Sequence, residues 1–281
     1  MAQGLSIHIG LNSVDPDGYG GWDGQLVACE ADAKDMSALA KEQGFTPTTL
    51  LTAEATSSAI LDAIQDAGKK LSDGDVLFLS YSGHGGQVPD ANSDEDDRMD
   101  ETWVAYDREI VDDELYGAWS EFAPGTRIVV LSDSCHSGTV TKAVLDTVRP
   151  EAIDRAVQLN GSDPASRMKA MPADVGKRVY EEHKDEYDAI QKRVPAFDDS
   201  PLDTSVLLIS GCQDNQTSAD GQRNGLFTQT LLEVWNDGKF RGGYRGFAKH
   251  IVKKMPPWQT PNLYTAGKPD RAFERQHPFT V

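Results

Sequence analysis

Four short runs of nearly continuous hydrophobicity punctuate the chain: residues 5–11 (LSIHIGL), 75–81 (DVLFLSY), 126–132 (TRIVVLS) and 205–210 (SVLLIS). Runs this short and rich in branched side chains predict strands buried on both faces, as in a parallel sheet covered by helices. A weaker run at 46–51 (TPTTLL) predicts a fifth strand. Between the runs the apolar positions change to helical spacing. Ala28, Ala31, Met36 and Leu39 stand among charges over 28–43, and Ile60, Leu61, Ile64 and Leu71 mark 57–71. Residues 224–236 and 244–255 predict two further helices. Strands alternating with helices build βαβ units. The expected class is therefore α/β, with a mostly parallel central sheet and helices on both faces.

Two segments break this pattern. Residues 87–114 hold twelve acidic side chains and two arginines, a net of −10 out of −18 for the whole chain. The stretch 140–200 is polar, mostly helix-like, and rich in Lys and Arg between two core strands. No sharp shift in composition accompanies either. The expectation is one domain over 1–281 with a polar helical insertion at about 140–200.

With 281 residues, 38% of them apolar, the chain can build a substantial core. A charge of −18 argues against nucleic acid as a partner, since phosphate binding needs a basic footprint. No apolar run approaches the roughly 18 residues of a membrane span. The start MAQGLSIHIG lacks the basic and apolar regions of a secretory signal. Three cysteines, Cys29, Cys135 and Cys212, are too few and too scattered for a disulfide framework. These features predict a cytoplasmic protein whose cysteines are buried thiols or a nucleophile.

In an open parallel sheet, ligands bind outside the carboxyl ends of the strands. The strand at 75–81 runs into Ser82-Gly83-His84-Gly85-Gly86, and that at 126–132 into Asp133-Ser134-Cys135-His136-Ser137-Gly138. A thiol at one strand end and an imidazole at another meet the needs of a nucleophile with a separate base. Glycine amides close by can face a developing oxyanion, and Gly85 and the backbone of Cys135 are the candidates. A buried cysteine and a satisfied histidine are the ordinary alternatives. His136 is a rival base, but its side chain diverges from that of its neighbour Cys135. Asp133 lies two residues before Cys135, so strand alternation sends both side chains to one side. Asp32 lies three residues after Cys29, on one face of the first helix.

The motifs Tyr81-Ser-Gly-His84-Gly-Gly and Asp133-Ser-Cys135-His-Ser-Gly resemble those of the metacaspases and bacterial orthocaspases, within the caspase-like cysteine peptidases. The separation of 51 residues between His84 and Cys135 fits the caspase pattern. Cys29-Glu-Ala-Asp32, Val111-Asp-Asp-Glu-Leu-Tyr116 and the stretch from Ile209 to Asp220 extend the likeness over most of the chain. The resemblance implies a caspase-like fold and peptide hydrolysis by a His84/Cys135 dyad, in a protein that is usually a monomer. It implies that Cys29, Asp32, Ser82 and Asp133 line the pocket for the residue before the cut. Two carboxylates there would attract Arg or Lys and repel Asp. The expected partners are thus protein or peptide substrates with a basic residue before the cut.

The resemblance also raises calcium, though the chemistry needs no cofactor. Many metacaspases bind it through four aspartates, and Asp100, Asp112 and Asp113 match three of them. The fourth position carries Lys142, whose ammonium could replace the ion or point to solvent. A solvated acidic loop is the plainer account of the segment. Basic residues crowd the region after the cysteine: Lys142, Arg149, Arg155, Arg167, Lys169, Lys177 and Arg178. An enzyme with this specificity could process itself there, and the sequence does not choose a site. Three alternatives stay open: another His/Cys enzyme of the wider clan, such as a legumain-like protease or a transamidase; a non-catalytic scaffold on the same fold; and a calcium-binding sensor. Cys212 reads as a packed thiol, and Trp103, Trp119, Trp235 and Trp258 read as core or rim residues.

Overall fold

The computed structural model describes residues 2–91, 98–134, 168–193, 202–212 and 218–281. All five expected strands form, as β1 (Gly4–Gly10), β2 (Thr46–Leu51), β3 (Val76–Ser82), the strand Arg127–Asp133 and the strand Ser205–Ser210. They pair in parallel in the order β2-β1-β3-(127–133)-(205–210). A sixth strand, Asn262–Gly267, adds antiparallel to the last of them and was not foreseen. Its side chains are half-buried or exposed, and it lies at the sheet edge, so it lacks the apolar run of the central strands.

Strand alternation divides the core into two layers. Ile7, Ile9, Leu77, Leu79, Ile128 and Val130 pack on one face with Ile60 and Ile64 of α2 (Ser57–Gly68), and with Leu115 and Trp119 of a helix at Asp112–Ser120. Val76, Phe78, Val129, Leu131, Leu207 and Ile209 pack on the other face. There they meet Met36 and Leu39 of α1 (Cys29–Glu42), Leu231 and Val234 of the helix Leu226–Trp235, and Phe247 and Ile251 of the helix Tyr244–Lys254. The central strands are apolar at successive positions because both pleat directions are buried.

The acidic segment departs from the expectation of a solvated loop. Its described residues form a second sheet of three antiparallel strands, β4 (Gly85–Pro89), β5 (Met99–Val104) and β6 (Glu109–Val111), followed by α3 (Asp112–Ser120). Asp100, Glu109 and Asp113 are buried within it. The alternation that makes these strands is carried by Val88, Thr102, Val104 and Ile110, and the surrounding charges mask it in the sequence. The remaining elements are β7 (Arg127–Asp133), α4 (Ala173–Arg193), β8 (Ser205–Ser210), α5 (Leu226–Trp235), α6 (Tyr244–Lys254), β9 (Asn262–Gly267) and α7 (Arg271–Arg275).

Candidate active site

β1, β3 and β7 end at Gly10, Ser82 and Asp133, side by side in register. Helices α1 and α2 leave to opposite faces of the sheet, so a crevice opens at these ends. The turn after β3 is pinned from beneath. The Tyr81 hydroxyl donates to the carbonyls of His84 (2.6 Å) and Val104 (3.0 Å). Trp103 stacks on Tyr81 with centroids 4.5 Å apart and donates to Ser132 of β7 at 3.0 Å. The turn is thereby tied to both sheets.

His84 is buried. Its Nε2 lies 3.0 Å from the Gly24 carbonyl oxygen, which can only accept, so the neutral ring carries its hydrogen on Nε2. Nδ1 is left bare as the basic nitrogen, and it has no hydrogen-bond partner among the described residues. Burial pushes the His84 pKa down to about 4, against the Gly24 and Ala170 backbone contacts that favour the charged ring. Trp22 meets the ring edge-on at 4.8 Å. Gly24 holds a left-handed φ of +54°, and a Cβ there would come within 3.0 Å of Trp22 and 3.3 Å of His84. Only glycine takes this conformation readily, so the loop before α1 can bring its carbonyl to the imidazole. No acidic side chain is needed to orient the ring.

Beside the histidine lies a pocket floored by carboxylates. Asp32 projects from the first turn of α1, Ser82 from the end of β3 and Asp133 from the end of β7; all three are buried. The side chain of Lys169 fills the pocket and is itself fully buried, at 0% exposure. Its Nζ donates to Asp133 Oδ2 at 2.8 Å, Ser82 Oγ at 2.9 Å and Asp32 Oδ2 at 3.1 Å. An ammonium has three hydrogens, and each has an acceptor. The carboxylates are completed from elsewhere. Asn224 Nδ2 and the Gly225 N–H each donate to Asp32 Oδ1 at 3.0 Å, Thr228 donates to Asp133 Oδ2 at 3.2 Å, and Ser218 makes a short bond to Asp133 Oδ1. Burial raises the Asp32 carboxyl to about 6, although Lys169 works against the shift. Burial alone would lower the Lys169 ammonium, but the carboxylates of Asp133 and Asp32 outweigh it and hold it well above its ordinary value. The pocket therefore keeps a cation charged.

Two further features shape the pocket. A Cβ on Gly225 would lie 2.4 Å from Lys169 Nζ and 2.5 Å from Asp133 Oδ2, so no side chain fits there. Asp220 accepts from the Val27 N–H at 2.6 Å and the Ala28 N–H at 3.0 Å, fixing the turn that leads into α1 and carries Cys29 and Asp32. Cys29 is buried, and burial pushes its thiol up. It lies near Asp32 as a packed group without the character of a thiolate. Cys212 is also buried, with Sγ 3.3 Å from the Ser134 carbonyl.

The structure thus brings together His84, Gly85, Asp32, Ser82 and Asp133. Cys135, His136 and Lys142 lie outside the described residues. Asp100 sits opposite Val88 in the small sheet, and Asp112 and Asp113 open α3, with the Asp113 N–H donating to Asp112 at 3.1 Å. Among the described residues no three His, Cys, Asp or Glu side chains are grouped to hold a metal ion, so Asp100, Asp112 and Asp113 are not gathered into such a site. Trp103, Trp119 and Trp235 are buried and Trp258 is half-buried. Sequence reasoning missed Gly24, Ser218, Asn224, Gly225 and Thr228, and it named Lys169 only as one of seven basic residues at which the chain could process itself. Ser218 and Asp220 fall in the family-like stretch 209–220, a signal that could have found them; Asn224 and Gly225 read only as a loop before α5.

A histidine at the end of one parallel strand, beside a buried acidic pocket that holds the Lys169 ammonium, fits an α/β protein of the caspase-like class. The chain belongs to the caspase-domain family, whose model (Peptidase_C14) matches residues 14–271. It is 34% identical over 251 residues to metacaspase-1A of Aspergillus terreus, covering 80% of this chain and 60% of that one. It is 33% identical over 191 residues to metacaspase-1 of Kluyveromyces lactis, covering 63% of this chain and 44% of that one. The chain spans about half the length of these curated relatives. Protein GSU0716 from Geobacter sulfurreducens, known from its crystal structure, superposes with a TM-score of 0.87 at 51% identity, covering 99% of both chains. Caspase-1 from Spodoptera frugiperda shares the fold, with a TM-score of 0.56 at 16% identity over 95% of this chain and 86% of that one. No helix among the described residues is long and apolar enough to cross a membrane.

Proposed function

We propose that this chain is a cysteine endopeptidase that cuts peptide bonds after Lys or Arg, with Cys135 as nucleophile and His84 as base. The observation that carries the specificity is Lys169. The pocket formed by Asp32, Ser82 and Asp133 already binds a lysine ammonium through all three of its hydrogens. An aspartate placed there would meet two carboxylates in a buried site. The bare Nδ1 of His84 suits proton removal from the thiol, and Nε2 is anchored on Gly24. The thiolate attacks the carbonyl carbon before the cut. The Gly85 N–H stabilises the oxygen that becomes charged, and the imidazolium gives its proton to the departing amine. Water then releases the acyl group from sulfur, with the same imidazole as base.

This reading is supported by the relatives, which are named metacaspases. Lys169 occupies the pocket, so the test uses the intact chain and a Lys169→Ala chain together. A thiol-reactive peptide ending in Arg should label Cys135 in at least one of them, and His84→Ala should remove the labelling. A scaffold or a sensor would give no His84-dependent labelling in either chain, and that result refutes the reading.

A further inference from the structure

Beyond the peptidase reading and independent of it, we propose that the molecule carries a second binding site: an arginine-lined cleft between α6, α7 and β9 that takes a small ligand bearing a chain of phosphates. The charge of the chain is unevenly spread. Residues 239–281 hold nine Lys and Arg against two acidic side chains, a net of +7 in a chain of −18. A local reversal of sign creates a field that attracts anions. The fold does not cancel it. Among the described residues, the exposed side chains of Lys249, Lys253, Lys268, Arg271 and Arg275 enter no hydrogen bond or ion pair. On other surfaces Lys34, Lys69, Arg178 and Lys184 each meet a carboxylate at 2.6–3.0 Å.

Charge alone makes no site; a cleft gives it shape. About 680 Å³ of open volume lies where α6 begins against the end of α7, lined by Gly243, Arg245, Thr265, Arg271, Glu274 and Arg275 among others. That falls within the range of small-ligand pockets, roughly 300–1,000 Å³. Its walls are fixed. A Cβ on Gly243 would lie 2.6 Å from the Glu274 carbonyl oxygen and 2.7 Å from Arg275 Cα, so α6 is pressed onto the backbone of α7. The Phe273 ring is buried and meets Tyr244 edge-on at 5.6 Å. Asp270 caps α7, accepting from the Ala272 and Phe273 N–H groups at 2.9 and 3.0 Å. Arg127, at the start of β7, donates to Gln276 at 2.6 Å and ties the end of α7 to the sheet.

Arg271 and Arg275 stand four residues apart, on one side of α7, and Arg245 reaches the same cleft from α6. Glu274 pairs with Arg245 alone. Three guanidiniums against one carboxylate leave an excess of positive charge, whose mutual repulsion a bound anion would relieve. A guanidinium fork matches two phosphate oxygens. A phosphate chain presents oxygens to several forks at once, whereas a lone carboxylate meets one. The cleft is also remote from the crevice. Thr265 and Gly267 of β9 pair with Leu207 and Ser205 at the beginning of β8, whereas the crevice opens beyond Ser82 and Asp133 at the far strand ends.

Isothermal titration calorimetry of the purified full-length chain at low salt tests this with three probes: inorganic tripolyphosphate, a nucleoside triphosphate and inorganic phosphate. Tripolyphosphate should bind once per chain and weaken as salt is added, because exposed charges are screened. Arg271→Gln and Arg275→Gln should each weaken it about tenfold or more, as the loss of a charged hydrogen-bond donor does. Lys69→Gln, beside α2 across the sheet, should leave it unchanged. Both arginines are exposed, and urea midpoints equal to that of the wild type separate lost affinity from lost fold. Equal or weaker affinity for the nucleoside triphosphate supports a free phosphate chain as the ligand, and tighter affinity supports a nucleotide. Three results overturn the proposal: no saturable binding, binding that survives both arginine substitutions, or inorganic phosphate held as tightly as tripolyphosphate, which a single fork would explain. None of these outcomes depends on Cys135 or bears on the peptidase reading.

Discussion

The molecule buries carboxyl groups in two neighbouring places and treats them differently. At the ends of β3 and β7, Asp32 and Asp133 share the Lys169 ammonium and take hydrogen bonds from Ser82, Asn224, Gly225, Ser218 and Thr228. In the small antiparallel sheet, Glu109 has a short bond from Thr102 and, among the described residues, no cation at its carboxyl; Arg108 next to it turns outward to Glu114 at 2.8 Å. Burial pushes the Glu109 carboxyl up to about 7, with only the Thr102 bond opposing the shift. The same burial that neutralises a lone carboxyl leaves a cation-binding site where a counterion and donors are supplied. Charge in the sequence therefore does not mark function by itself. The acid-rich segment 87–114 contributes a packed sheet, while two isolated aspartates make the pocket.

The comparison can be broken most forcefully at the chemistry. His84→Ala should lower kcat/KM toward an Arg-ended peptide by about 10²–10⁴, the usual contribution of a positioned base.

The next effect is on stability. Asp133→Asn leaves the Lys169 ammonium with one carboxylate in a buried site, and should cost about 3–5 kcal/mol. Urea unfolding of the Cys135→Ala chain, with and without the substitution, reads this directly. A cost near zero would mean that Lys169 does not reside in the pocket in solution.

Glu109 gives the opposite signature. Its carboxyl titrates at about 7 in the folded chain, against 4.5 as the ordinary value. Between these values the unfolded chain has released the proton and the folded chain keeps it, so stability falls as pH rises through the window. The fall amounts to roughly 3 kcal/mol for a shift of this size. Glu109→Gln should remove it, flattening the stability profile between pH 4.5 and 7. An unchanged slope would show that Glu109 is paired or solvated.

The smallest effect is spectroscopic. In the Cys135→Ala chain, the His84 ring should titrate near 4, well below the ordinary 6.5, because burial dominates its environment. An NMR midpoint close to 6.5 would place the ring in water.

The central sheet was legible because its strands are buried on both faces, and runs such as VLFLSY carry that state in plain form. The small sheet was not, because its apolar alternation at Val88, Thr102 and Val104 is diluted by charges that lie on the other pleat or in the loops. β9 escaped notice because an edge strand needs little hydrophobicity. At the site, His84 and Gly85 were legible from a strand end, whereas Asp32, Ser82 and Asp133 were named as a pocket only through the resemblance to the metacaspases. Lys169 was not, since nothing in a run of basic residues tells which one finds two buried carboxylates. Gly24 and Gly225 act through what they lack, a Cβ that would meet His84 or Lys169, and only three-dimensional proximity reveals that.

The central claim is that the acid floor of the crevice chooses the residue before the cut. The most direct measurement is kcat/KM for three otherwise identical reporter peptides with Arg, Lys or Asp before the leaving group. The account predicts ready hydrolysis of the Arg and Lys peptides and none of the Asp peptide, with Asp133→Asn eroding the difference. Cleavage after Asp, or equal cleavage of all three, would contradict it.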